Sequence, residues 1–166
     1  MAKFPKGFLL GASTAAHQVE GNNIHSDYWT MEHMKSTSFL EPSLDAVDHY
    51  NRYRDDIRML AEAGLNAYRF SVEWARIEPK EGEFDEAEIK HYADMLDCCR
   101  EYGVEPIVTL HHFTSPKWLI EKGGWESENI ALSSSLLNFL LLLPQLERQH
   151  YFFEPESQFL PLISFP

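Results

Sequence analysis

"NAYRFSVEWARIEP" (66–79) decides the reading of the fold. Tyr68, Phe70 and Val72 alternate with Ala67, Arg69, Ser71 and Glu73, the period-two pattern of a strand with two unlike faces. One face is bulky and apolar, the other small or polar. A strand of an open doubly wound sheet is ordinarily apolar on both faces. The asymmetry predicts a closed barrel with helices outside and a polar interior leading to a mouth at the strands' C-terminal ends. An exposed edge strand with one solvated face is the alternative reading. Arg69 also needs an account, because a buried cation is costly unless it is paired.

Working outward, the flanking segments have helical periodicity. In "DAVDHYNRYRDDIRMLAEAG" (45–64), Tyr50, Tyr53, Ile57, Leu60 and Ala61 recur on one face, and Gly64 marks a stop. In "FDEAEIKHYADMLDCCREYG" (84–103), Asp85 and Glu88 form a capping-box-like start, Ile89, Tyr92, Ala93, Leu96 and Cys99 share a face, and Gly103 ends the run. "GFLLGAS" (7–13) and "EPIVTLHHF" (105–113) read as strands, and "SPKWLIEK" and a piece beginning near Glu126 as short helices. Strands alternating with amphipathic helices predict an α/β chain with a parallel sheet and right-handed crossovers, about three βα units in all.

The bulk properties exclude several function classes. With 44% hydrophobic and 24% charged residues the chain is globular in composition. A net charge of −12 argues against nucleic acid and anionic membrane as partners. "LLNFLLLLP" is too short to span a bilayer as a helix, and no secretory leader is legible, so the expected location is cytoplasmic. Cys98 and Cys99 are adjacent, which predicts reduced packing thiols and not a disulfide. His111 and His112 point to opposite faces of a strand and cannot share one ion, and CxxC and HExxH are absent. Asp55, Asp56, Glu62, Glu86 and Glu88 read as solvated helix-face carboxylates.

From about Ile130 the composition changes. "ALSSSLLNFLLLLPQLERQHYFFEPESQFLPLISFP" lacks Gly, Asp and Lys, and no further strand–helix unit is recognisable in it. The expectation is a division into residues 1–129 and an unrelated tail, 130–166, from a frameshift, a retained intron or a gene-model error.

"FLLGASTAAHQVEG", "DHYNRYRDDIRMLAEAGLNAYRFSVEWARIEP" and "TLHHFTSPKWL" followed by "GGW" together resemble the N-terminal third of glycoside hydrolase family 1. This is the β-glucosidase and 6-phospho-β-glucosidase family. The resemblance implies the first part of a (β/α)8 TIM barrel and a retaining glycosidase that needs no metal or organic cofactor. The partner it implies is a small molecule, a β-glucoside or a phosphorylated disaccharide; oligomeric state is not legible. By the resemblance, Gln18 and His112 bind sugar hydroxyls, and Arg69 sits beside the nucleophile and favours its ionised form. Glu73 stands where a small residue is usual and receives no role, although it and Glu20 are candidate partners for Arg69. His17 and Phe113 replace the usual aromatics. Retaining hydrolysis requires two carboxyl groups about 5 Å apart. The family carries them in "NEP" and "ENG", and neither occurs here, so the catalytic glutamates are unknown. "FEP" (153–155) lacks the asparagine and a recognisable preceding strand, so no acid/base role passes to Glu154. As written, the chain is expected to be inactive alone. A non-catalytic carbohydrate-binding or interaction protein reusing the barrel fragment is the alternative.

Overall fold

A computed structural model describes residues 4–126 and the backbone of residues 150–154. The elements in chain order are β1 (Gly11–Ser13), α1 (Ala16–Val19), α2 (Asp27–Glu32), α3 (His49–Glu62), β2 (Ala67–Ser71), α4 (Trp74–Ile77), α5 (Glu86–Glu101), β3 (Glu105–His112), α6 (Lys117–Glu121), a 3-10 turn (Gly124–Glu126) and β4 (His150–Glu154). All strand pairs are parallel and the order is β1-β2-β3-β4, as in the opening portion of a (β/α)8 barrel. Ser13 is in register with Arg69, and Arg69 with Ile107.

The unlike faces of β2 arise as the alternation predicts. Tyr68, Phe70 and Val72 join Ile57 of α3, Tyr92, Met95, Leu96 and Cys99 of α5, and Val108 and Leu110 of β3 in one buried core. Each large apolar side chain so buried contributes roughly 1.5–3 kcal/mol. Arg69 and Ser71 lie on the opposite face. Since β2 has β1 on one side and β3 on the other, the edge-strand alternative does not hold.

Several boundaries differ from the sequence reading. Only Gly11–Ser13 of 7–13 is strand; Leu10 and Phe8 are instead held by Asn66, which bonds the Leu10 amide through Oδ1 and the Phe8 carbonyl through Nδ2. Asp85 caps α5 by accepting from the Ala87 and Glu88 amides, but the Glu88 carboxylate does not complete the capping box. It accepts from the Tyr50 hydroxyl and lies 4.0 Å from Arg76. Asp56 likewise bonds His49, so neither it nor Glu88 is simply solvated. Cys98 and Cys99 are buried thiols.

β4 is the larger difference. It falls within the tail that read as devoid of a strand, and it places Glu154 in register with His112. "HYFF" has strong strand propensity, but four residues without flanking turn signals are too short a pattern to stand out beside the leucine runs. The remainder of the proposed tail, 130–149 and 155–166, lies outside the described residues, as does the helix expected beyond Glu126.

Two glycines are required by close approach. A Cβ on Gly11 would overlap the Ala67 backbone of β2. Gly21 has φ +81°, and a Cβ there would run into the Asp45 backbone. Gly21→Ala is expected to cost roughly 1–3 kcal/mol from backbone strain alone, read as a lower urea midpoint; an unchanged midpoint would contradict this packing.

Candidate functional site

The C-terminal edge of the sheet gathers the residues of interest because the strands are parallel. Thr14 follows β1 directly, and its amide donates to the Arg69 carbonyl at 2.9 Å. The next turn forms α1, pinned to the end of β2 where the Ala16 amide donates to Ser71 Oγ at 2.7 Å. Gln18 projects from this short helix and is exposed. Arg69 is half-buried, and its Nη1 donates to Thr109 Oγ1 of β3 at 3.5 Å. His112 is the last residue of β3, half-buried, with its ring edge-on to Phe113 at 4.7 Å. Phe113 has φ +65°, which turns the chain sharply as it leaves the strand. Gln18 thus follows β1, Arg69 is the middle residue of β2 and His112 ends β3, one from each of three successive units. His111 departs from them: it is buried, with Nε2 3.3 Å from Ser115 Oγ and its ring against Trp125 and Trp74.

Glu20 and Glu73 are directed to partners other than Arg69. Glu20 accepts from Arg76 Nε at 3.1 Å and from the Tyr92 hydroxyl at 2.9 Å. Glu73 is 0% exposed and accepts from Asn23 Nδ2, Thr114 Oγ1 and the Ala75 amide. Tyr92 bridges the two, since its oxygen also accepts the Glu73 amide. Arg76 completes the group by donating to Asn23 Oδ1 at 2.6 Å and to the Gly21 carbonyl.

Burial pushes the Glu20 carboxyl up to about 7 even though Arg76 opposes it. Burial, reinforced by the charge of Glu20, pushes Glu73 up to about 8. A carboxyl near neutrality suits an acid catalyst, but Glu20 is 3% exposed and Glu73 wholly enclosed. Both are closed to solvent, and they join the 20–23 loop, α4, α5 and the turn after His112. Sequence reasoning missed Arg76 and left Glu73 without a role. The signal available was two charged residues three apart, Glu73 and Arg76, inside an otherwise apolar run.

Among the described residues no helix is long and apolar enough to cross a membrane.

Comparison with known proteins agrees with this arrangement. The profile of glycosyl hydrolase family 1 matches residues 1–134. The chain is 39% identical over 135 residues to the aryl-phospho-β-D-glucosidase BglC of Bacillus subtilis, covering 76% of this chain and 28% of that protein. It is 38% identical over 136 residues to β-glucosidase A of Thermotoga maritima, covering 78% and 30%. The crystal structure of β-glycosidase BGL167 superposes with a TM-score of 0.74 at 60% identity, covering 75% of this chain and 30% of that one. The chain therefore spans under a third of the length of these relatives. A parallel sheet in consecutive order, the motifs at its C-terminal edge and the profile match lead to one assignment: the chain belongs to glycosyl hydrolase family 1.

Proposed function

We propose that residues 4–126 form the sugar-facing wall of a retaining β-glycosidase site, acting on β-glucosides or their 6-phosphates. Gln18 and His112 donate and accept hydrogen bonds with sugar hydroxyls. Arg69 holds a nucleophilic carboxylate in its ionised form by charge. The observation that carries this reading is the position of Arg69, a half-buried guanidinium on the face of β2 away from the helix-packed core. A cation there supports chemistry in the barrel interior and adds nothing to the apolar core. The names of the relatives, one an aryl-phospho-β-D-glucosidase and one a β-glucosidase, motivate both substrate forms. A cytoplasmic location is part of the same proposal. Residues 130–166 are proposed to be a tail unrelated to this wall, apart from β4, whose register brings Glu154 to the His112 edge.

The test joins residues 1–129 to the later strands of a family 1 β-glucosidase and assays aryl β-glucosides with and without a 6-phosphate. Turnover is expected in the fusion, and Arg69→Met is expected to lower kcat roughly 100-fold, as removal of a preorganised charge does. The 166-residue chain alone is expected to show no turnover above a blank purified in parallel. Turnover by the unfused chain that Glu154→Gln abolishes would instead put an acid at the end of β4. Sugar binding by the fusion without hydrolysis would favour the binding-module reading.

A further inference from the structure

The motif "DHYNRYRDD" (48–56) lies on the helix side of the sheet and supplies none of the proposed sugar contacts. Two of its residues nevertheless connect to that site. His49 is buried, with Nδ1 2.7 Å from Asp56 Oδ2 and Nε2 3.2 Å from the Tyr68 hydroxyl. The Tyr68 oxygen is in turn 2.6 Å from Thr14 Oγ1. Four side chains from α3, β2 and the end of β1 form one unbroken line.

The donors in this line follow from the chemistry of its ends. A carboxylate only accepts, so His49 Nδ1 carries a proton. We take the ring to carry this one proton, so that Nε2 accepts from the Tyr68 hydroxyl. The Tyr68 oxygen is left to accept from Thr14. Burial raises the phenol of Tyr68 well beyond its usual range, in keeping with a hydroxyl that remains a donor.

Thr14 opens the segment that carries Gln18. Besides the bond from its hydroxyl, that segment is tied to β2 by the Thr14 amide on the Arg69 carbonyl and the Ala16 amide on Ser71 Oγ. Tyr68 and Ser71 supply side-chain ties from opposite faces of one strand, and Arg69 a tie through its backbone carbonyl. α1 is a single turn, too short to hold its own position. We propose that Asp56, His49, Tyr68 and Thr14 are positioning residues, a directed hydrogen-bond chain that sets the height of Gln18 above the end of β2. The inference rests on the reading of Gln18 as a sugar contact, and it gives the helix motif a role in substrate recognition at a distance.

Hydrogen exchange of the 166-residue chain in the absence of sugar tests it. Thr14→Val keeps the shape and removes the hydroxyl; Thr14→Ser keeps the hydroxyl. The valine variant is expected to exchange the amides of 14–20 roughly 5–10-fold faster, the loss of about one hydrogen bond. The serine variant is expected to match the parent, and the α5 amides to stay unchanged in both. Equal exchange at 14–20 in the valine variant and the parent overturns the chain, as does a serine variant as fast as valine. A measurement without substitutions supplements these: the 15N shifts of His49 should report the Nδ1–H tautomer, and an Nε2–H tautomer would overturn the assigned direction. Because no sugar is present, these outcomes stand apart from the sugar-contact reading. That reading fails separately if Gln18→Ala leaves the KM of the barrel fusion unchanged.

Discussion

Replacing Arg76 by methionine is expected to cost roughly 3–5 kcal/mol of folding stability at neutral pH, the usual penalty for removing one partner of a buried charged group. The side chain is 14% exposed and sits against Glu20 and, at 4.0 Å, Glu88. Its fork also satisfies Asn23 Oδ1 and the Gly21 carbonyl, and its plane lies 4.3 Å from the centre of the Tyr50 ring. Methionine retains the packing and loses every polar contact. Arg76→Lys is expected to recover less than half of the loss, since a single ammonium reproduces neither the fork nor the stacking. Urea unfolding of the three proteins gives the comparison. A loss below about 1 kcal/mol would place Arg76 among ordinary surface ion pairs and remove it from the centre of this network.

Stability is expected to fall as pH rises from mildly acidic to mildly alkaline, by a few kcal/mol in order of magnitude. Glu20 and Glu73 have folded values of about 7 and about 8 against an ordinary 4.5. Between 4.5 and those values the folded chain holds protons that the unfolded chain has released. Stability therefore declines with pH through that window and levels off above about 8. Below 4.5 both states are protonated and the two groups contribute nothing. His91 opposes them in part: burial, helped by Arg76, lowers it to about 4, so its titration favours folding as pH rises from 4 to 6.5. The clearest interval is thus above 6.5, where the opposing effect of His91 fades and the carboxyls still titrate. Glu73→Gln should flatten the curve there and stabilise the chain at about pH 8, where the parent carries the greatest burden of buried charge. A parent chain whose urea midpoint rises or stays level from about pH 6.5 to 8 would refute the assignment. The Arg76→Met penalty should also shrink at about pH 5, because protonated carboxyls no longer need the cation.

The alternation in 66–73 was enough to specify two unlike faces of β2, and the helical periodicity on either side was enough to specify which face the helices cover. These are local properties: side chains two apart in a strand or three to four apart in a helix share a surface whatever surrounds them. The order of the motifs was enough to assign Gln18, Arg69 and His112 to three successive parallel units. Charge partners were not local. Nothing in the spacing of Glu20, Arg76 and Tyr92 links them, and their bonds span 56 and 72 residues. Which carboxylate meets which cation depends on how the 20–23 loop and α5 close over α4, and that closure sent Glu20 to Arg76 and Glu73 to Asn23 and Thr114. The same holds for Glu88, which on a lone helix faces water and in the folded chain bonds Tyr50 of α3. The strand at 150–154 shows the limit from the other side: its five residues carry propensity but no pattern, and only pairing with β3 makes them a strand. By itself the sequence determined the faces, the order of the first three strands with their two long helices, and the family; the tertiary structure alone decided the long-range buried hydrogen bonds, because they join residues that the chain brings together only once the sheet has formed.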